Sequence, residues 1–130
     1  MSVYPALAGA LFLSTSLCTA GPVGEAARGA AIYERCLACH ALAYDRTGPR
    51  HCGLIGRKAA SVPGFPYSPA LRASGIVWNR AALDAFLRSP MTNVPGTSMG
   101  YAGIPNDQER ADLIAWLQLA DSKPECKALK

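Results

Sequence analysis

The chain has 130 residues, which suffice for one small domain and exclude a large multidomain enzyme. Half of its residues are apolar and 17% are charged, a composition typical of a folded globular protein, and the formal net charge is +4. No apolar run is long enough to anchor the mature protein across a membrane. Because the arginines are scattered and no basic run occurs, this charge argues against a nucleic-acid-binding protein.

The first twenty residues differ from the rest because they contain no Lys, Arg, Asp or Glu. Residues 5–17 form an apolar run of the length found in signal peptides, and the small residues Cys18 and Ala20 suit cleavage after Ala20. We therefore predict a cleaved signal peptide over residues 1–20, a mature domain over residues 21–130, and export to the bacterial periplasm. A plain buried helix and a lipoprotein modified at Cys18 remain as alternatives.

Helical patterns and caps follow the signal peptide. The expected core, residues 25–120, contains no segment that alternates convincingly as a strand, and a tail follows over residues 121–130. Serine and asparagine mark helix starts because their side-chain oxygens accept hydrogen bonds from free backbone N–H groups. The predicted helices are Glu25–Cys39, a short helix starting at Ser68-Pro69 and stopping at Gly75, Arg80–Leu87 after Asn79, and a last helix starting at Asn106 with Glu109.

One motif carries the chemistry, and it reads Cys36-Leu37-Ala38-Cys39-His40. Two thiols one helical turn apart reach the two vinyl groups of one haem, and the adjacent His40 then directs its imidazole at the iron. A redox-active cysteine pair would need βαβ patterning around it, and a zinc site would need a second short pair of ligands. The motif therefore predicts one covalently attached haem c, bonded to Cys36 and Cys39.

A haem iron bound by His40 has a second axial position. His51 lies too close to His40 in the sequence to reach the opposite face easily. Met91 and Met99 both lie in a loop rich in proline and glycine, residues 89–99, which can wrap over the haem edge and present a thioether. Such a sulfur ligand favours ferrous iron and raises the reduction potential. An open iron that binds gases or peroxide is the alternative.

With these motifs in this order, the chain resembles the class I cytochromes c, the small monohaem electron carriers of mitochondria and bacterial periplasms. The resemblance runs from about Gly29 to Ala120 and implies an all-α, cytochrome c-like fold. Three to five helices and long loops would surround one covalently bound haem. The matching segments are Gly29 with Tyr33, Thr47-Gly48-Pro49, residues 53–58, residues 64–68, residues 75–78 and residues 94–99.

The resemblance also implies roles for single residues. Met99, rather than Met91, would be the second iron ligand, and the Pro49 carbonyl would accept the proton of the His40 ring. The haem propionates would accept hydrogen bonds from Arg57, Tyr67 and Trp78, and Thr97 is a further candidate donor. One face of the last helix would pack against Gly29 and Tyr33, and it carries Leu113, Trp116, Leu117 and Ala120.

Two residues depart from the family's pattern. Phe86 stands where many members carry a tyrosine whose hydroxyl bonds the ligand sulfur, and Leu71 stands where an asparagine often helps to hold an internal water. Without these two polar groups we expect a drier pocket, so the reduction potential cannot be taken over from relatives.

Two cysteines, Cys52 and Cys126, remain after haem attachment. In an oxidising compartment we expect them to form a disulfide that pins the C-terminal tail to the loop around Cys52. Two free thiols are the alternative.

The implied function is one-electron transfer without catalysis, because two filled axial positions leave no vacancy for a substrate. The expected partners are redox proteins, such as a membrane respiratory complex, an oxidase, a reductase or a periplasmic dehydrogenase, and the carrier itself would be a monomer. A haem enzyme or gas sensor is the alternative from another class, and a dedicated subunit of one dehydrogenase is a third. Three of the four lysines lie in the tail, so we expect partner docking to depend weakly on salt.

Overall fold

A computed structural model of the chain describes Met1 and residues 21–129. Apart from Met1, the predicted signal peptide lies outside the described residues. The described part contains six α-helices: α1 Ala26–Tyr33, α2 Pro69–Ala73, α3 Arg80–Arg88, α4 Pro90–Asn93, α5 Asp107–Ala120 and α6 Pro124–Lys127. The paired extended residues in this part are Lys58 and Val77, which form one isolated bridge. The predicted all-α fold is therefore confirmed.

Side-chain caps begin three of these helices, as the sequence predicts. The side-chain oxygens of Ser68, Asn79 and Asn106 each accept a hydrogen bond from the backbone N–H three residues on, at 3.2, 2.9 and 2.9 Å. The Glu109 carboxylate does not close a capping box with Asn106. It pairs instead with the guanidinium of Arg35 at 2.9 Å, which ties α5 to the end of the first helical segment.

The first predicted helix and the loop 89–99 differ from the structure in detail. The predicted helix Glu25–Cys39 was too long, because α1 ends at Tyr33 and a tighter 3-10 turn follows over Glu34–Cys36. This turn lets the backbone N–H of His40 reach the Cys36 carbonyl at 2.9 Å, and it brings His40 into the interior. The loop 89–99 contains the short helix α4, whose first residue is a proline that needs no N–H partner.

Helices α1 and α5, which lie far apart in the sequence, cross in direct backbone contact. A Cβ atom on Gly29 would lie 2.1 Å from the carbonyl oxygen of Asp112, so only glycine permits this approach. The Tyr33 ring stacks on Trp116, with ring centroids 3.9 Å apart. The predicted face of α5 is buried against this contact, and it consists of Leu113, Trp116, Leu117 and Ala120.

The C-terminal tail folds back onto the loop that follows His51. Helix α6 buries Cys126, and the structure joins it to Cys52 in a disulfide with Cα atoms 5.3 Å apart. The Asp121 carboxylate accepts a hydrogen bond from the backbone N–H of Gly53 beside it. Sequence reasoning predicted a tail without a helix here, because four residues give no periodic pattern.

Among the described residues, none of the helices combines the length and the apolar character that crossing a bilayer requires.

Candidate functional site

A cavity of about 450 Å³ lies between the helices and the long loops. This is the size range of pockets that hold small molecules and cofactors. Apart from Cys52 and Cys126, it brings together every predicted site residue, from six separate stretches of chain: Cys36, Cys39, His40, Pro49, Arg57, Tyr67, Trp78, Thr97 and Met99. Its remaining lining is largely apolar.

Two thiols lie at the rim of this cavity. Cys36 and Cys39 form no disulfide within the described part of the chain, and Cys36 is half-buried whereas Cys39 is exposed. The backbone N–H of Cys39 donates to the Cys36 carbonyl at 3.1 Å, so one turn of chain separates the two sulfurs. Burial raises the pKa of the Cys36 thiol to about 11 in the unattached chain. The pair has the placement that two thioether bonds to one ring require.

His40 is buried at the cavity wall, and one of its nitrogens is already engaged. Its Nδ1 lies 2.7 Å from the carbonyl oxygen of Pro49, an acceptor that holds the proton on Nδ1 and leaves the lone pair on Nε2. Burial lowers the pKa of the imidazole, which favours the neutral form that binds a metal. A Cβ on Gly48 would lie 2.3 Å from Cε1 of this ring, so glycine is required beside it.

The two candidate methionines occupy different environments. Met99 is half-buried and lines the cavity, whereas Met91 is 54% exposed on α4 and lies outside it. The backbone N–H of Met99 donates to the hydroxyl oxygen of Thr97 at 3.3 Å, and the N–H of Thr97 donates to the Val94 carbonyl at 3.0 Å. These turns direct the chain of residues 94–99 along the cavity.

A half-buried cation lies at another part of the wall. Arg57 donates to the backbone carbonyls of Cys52 and Arg50 at 3.0 and 2.9 Å, yet no carboxylate lies within ion-pair distance of it among residues 21–129. Burial lowers the pKa of its guanidinium, which nonetheless keeps its charge. A buried cation without a protein anion suits a ligand that brings its own negative charge.

Tyr67 and Trp78 place polar hydrogens in the same cavity. The Tyr67 hydroxyl oxygen accepts a hydrogen bond from the Val62 N–H at 3.3 Å, which leaves its own proton to donate. Trp78 is buried, and no described side chain accepts from its indole N–H. Together with Arg57, these donors match an apolar ring that carries carboxylates. The thiols, the neutral imidazole, the thioether and these donors therefore fit a haem.

The two residues that depart from the family's pattern both line the cavity. Phe86 is buried and packs edge-on against Trp78, with ring centroids 5.1 Å apart, and Leu71 is half-buried. Neither side chain offers a hydrogen bond to a sulfur or a water.

Sequence reasoning set aside one residue that the structure places at the centre of the site. His51 lines the cavity, and its ring stacks on that of His40 with centroids 4.2 Å apart. Burial lowers the pKa of His51 well below its usual value, and the positive charges that His40 and Arg57 can carry lower it further. No pattern in the sequence indicates this contact, because it depends on how the loop 41–51 folds back.

Comparison with known proteins agrees with this site. A family model for cytochrome c matches residues 26–120. The chain is 48% identical over 99 residues to the cytochrome c of Tetrahymena pyriformis, covering 75% of this chain and 90% of that relative. It is 41% identical over 97 residues to the cytochrome c2 of Rhodomicrobium vannielii, covering 72% of this chain and 78% of that relative.

A solved structure shares the fold as well. Cytochrome cH from Methylobacterium extorquens is similar with a TM-score of 0.71 at 38% identity, over 73% of this chain and 98% of that one. This chain therefore belongs to the cytochrome c family, whose members are electron carriers that bind one covalently attached haem c.

Proposed function

We propose that this chain carries single electrons with His40 and Met99 as the axial ligands of the haem iron and with Cys36 and Cys39 as its thioether partners. The observation that carries the proposal is the single cavity that these four side chains line. When bound, the haem supplies a centre that gains and loses one electron. The protein's task is to hold that centre in one geometry in both oxidation states and to keep water away.

His40 acts as a fixed nitrogen donor. Because Nδ1 donates to the Pro49 carbonyl, the ring keeps one tautomer and presents Nε2. The close approach of Gly48 leaves the ring little room on that side. A ligand that is held before the electron arrives changes position little on electron transfer.

As an iron ligand, Met99 raises the reduction potential of the haem. A thioether stabilises ferrous iron and raises the potential, and the apolar Phe86 and Leu71 keep the surroundings dry, which disfavours the extra positive charge of the ferric state.

The propionate end of the haem is held by donors from three loops. Arg57, Tyr67, Trp78 and Thr97 donate to the carboxylates, so that the charge of Arg57 and that of the propionates offset each other inside the protein. Such a pairing also keeps the haem in one position relative to His40.

Electrons leave and enter at the exposed edge beside Cys39. Leu37, Ala38 and Cys39 are exposed there, so a partner approaches the thioether edge closely. The partners are redox proteins, namely a membrane respiratory complex, an oxidase, a reductase or a periplasmic dehydrogenase, and the carrier acts as a monomer.

The compartment is the bacterial periplasm, reached through the signal peptide over residues 1–20. In that compartment the Cys52–Cys126 disulfide forms and holds the tail. Intact mass of the purified holoprotein tests both statements. We expect a chain that starts at Gly21, carries one haem, and offers no alkylatable thiol until it is reduced; two reactive thiols in the native protein would disprove the disulfide.

Absorption spectra test the proposed ligands. The oxidised protein should show the weak far-red band of methionine bound to ferric haem, and the dithionite-reduced protein should show a sharp c-type spectrum. We expect Met99→Ala to abolish the far-red band and Met91→Ala, which changes an exposed methionine, to keep it. A high-spin wild-type spectrum that shifts on adding carbon monoxide would overturn the ligand assignment in favour of an open iron.

A further inference from the structure

A hydrogen-bonded pair, Tyr33 and His51, lies behind the His40 ring and has no role in the function proposed above. The Tyr33 hydroxyl oxygen and His51 Nδ1 lie 2.9 Å apart, a hydrogen-bond distance. The two rings meet edge to face, with centroids 5.6 Å apart. Burial raises the pKa of Tyr33 and lowers that of His51, so both are neutral and their hydrogen bond carries no net charge.

The other side of this pair touches the proposed iron ligand. The His51 ring stacks on His40 with centroids 4.2 Å apart and planes 22° from parallel. The opposite end of the pair is anchored as well, because Tyr33 stacks on Trp116 of α5 at 3.9 Å. A continuous row of rings therefore runs from the crossing of α1 and α5 to His40.

The Pro49 carbonyl alone does not fix the His40 ring. A single hydrogen bond at Nδ1, together with an iron bond at Nε2, defines a line through the ring, and the close approach of Gly48 opposes rotation about that line on one side only. A flat partner parallel to the ring opposes this rotation, since turning the imidazole drives its edge into the stacked ring. His51 can act in this way only if its own ring is held, and the Tyr33 hydroxyl holds it.

We propose that His51 is a positioning residue that fixes the plane of the His40 imidazole, and that the hydroxyl of Tyr33 acts through it. The inference rests on the proposed ligation of iron by His40. His51 would not bind the iron itself, but it would determine how the plane of the His40 imidazole is oriented relative to the haem nitrogens.

The orientation of an axial imidazole has a direct spectroscopic readout. In ferric low-spin haem it determines how unpaired spin is distributed over the ring, so the haem-methyl proton shifts and the EPR g values report it. Loss of packing that leaves the ligand plane unchanged does not move these signals.

The test compares Tyr33→Phe, His51→Leu and the double variant with wild type, each as purified ferric holoprotein. Tyr33→Phe removes one oxygen and keeps the ring against Trp116. Tyr44→Phe is the matched control, because Tyr44 is 63% exposed. His51→Gln is the second variant should His51→Leu fail to mature, since a glutamine can bond Tyr33 but has no ring to stack.

We expect His51→Leu and His51→Gln to change the haem-methyl pattern and the g values, Tyr33→Phe to change them in the same direction by less, and Tyr44→Phe to leave them unchanged. The double variant should match His51→Leu, because the Tyr33 hydroxyl acts through His51. Wild-type signals in the His51 variants, or additive shifts in the double variant, would overturn the inference alone. Absence of hyperfine-shifted His40 ring protons in the wild type would overturn the proposed ligation and this inference with it.

Discussion

The two walls of the haem cavity are built differently. The wall that carries His40 is backed by the α1–α5 crossing, where Gly29 allows backbone contact and Tyr33 stacks on Trp116. The polar edge of the crossing is closed by Asp112, which accepts from the Arg28 guanidinium at 2.7 and 2.9 Å. Another part of the cavity wall carries Met99 on residues 94–106, which follow α4 and are named here the Met99 segment.

The Met99 segment is held mainly at its two ends. Thr97 and Met99 make local turns at its start, and at its far end the Ile104 N–H donates to the Leu87 carbonyl at 2.8 Å. Within the described chain, residues 100–103 make no backbone hydrogen bond. Segments with few buried contacts open at lower free energy than packed helices. The comparison teaches that one ligand is fixed by the helix core, whereas the other depends on a few anchors and on the haem itself.

The largest expected effect comes from breaking the crossing with Gly29→Ala. The added methyl would meet the Asp112 carbonyl, and two helix backbones must separate to admit it, so we expect unfolding to become easier by about 3 kcal/mol. Alanine's better helix propensity offsets only about 1 kcal/mol of this loss. Urea unfolding followed by far-UV circular dichroism measures the change.

Gly21→Ala is the control for that experiment, because no atom of the described residues lies within 4 Å of the methyl it adds. If Gly29→Ala unfolds at the same urea concentration as wild type, the close helix approach does not limit the stability of the holoprotein.

The difference between the two walls also explains what sequence could predict. The α1–α5 contact follows from local signals, because a glycine in α1 and an apolar stripe on α5 each indicate a packed face. The caps at Ser68, Asn79 and Asn106 are equally local and were predicted correctly. The haem motif and the ligand loop were found because their spacing is dictated by the chemistry and matches a known family.

What sequence missed depends on contacts between distant segments. His51 meets His40 and Tyr33 only after the loop between them folds back, and no periodicity marks such a contact. The length of the first helix was overestimated because alanine-rich sequence favours a helix up to Cys39, whereas the buried position of His40 requires a turn after Tyr33.

A change at Arg110 should loosen the Met99 segment and leave the His40 wall in place, which separates the two walls experimentally. This arginine of α5 is fully buried and donates to the Ile104 and Pro105 carbonyls at 2.8 and 2.9 Å and to the Asp84 carboxylate at 2.8 Å. Arg110→Met keeps the apolar stem but leaves two carbonyls without donors, which costs about 2 kcal/mol. We expect the far-red band to disappear at a lower urea concentration, well before the helices unfold.

Arg80→Met is the matched control, because exposed Arg80 donates to a single backbone carbonyl at the chain's N-terminal side. A variant of Arg110 in which the far-red band and the helical signal still disappear together, as one transition, would show that this arginine does not anchor the segment separately.

A smaller effect concerns the pH dependence of the crossing. The Arg28 guanidinium and the Glu25 N–H, at 2.7 Å, hold the pKa of the Asp112 carboxyl well below its usual range. A depressed pKa in the folded state contributes stability that is complete above the unfolded-state pKa of about 4 and is lost as pH falls below it. We expect Asp112→Asn to destabilise the protein at pH 7.

That destabilisation should shrink when the same unfolding curves are measured below pH 4, because the unfolded chain then binds a proton at Asp112 that the folded wild type, with its lowered pKa, does not bind. Asp45→Asn is the control. It removes a surface ion pair in which Asp45 lies 3.2 Å from the guanidinium of Arg50, and it should lower the free energy of unfolding by less than about 1 kcal/mol. A loss for Asp112→Asn that is equal at pH 7 and pH 3 would contradict the assigned role of its charge.

The smallest effect is expected where the two walls meet at the cavity rim, in the salt dependence of electron transfer. Arg35 lines the rim, and Glu109 of α5 neutralises it at 2.9 Å, so the rim presents little net charge. Stopped-flow oxidation by ferricyanide should therefore slow only modestly as ionic strength rises. Glu109→Gln frees the charge of Arg35, and Ala38→Lys adds a charge beside the thioether edge, so both should steepen the dependence. Positive charge at the rim attracts the ferricyanide anion more strongly at low salt. If the rate falls equally with ionic strength in the wild type and in both variants, the electron crosses at another face.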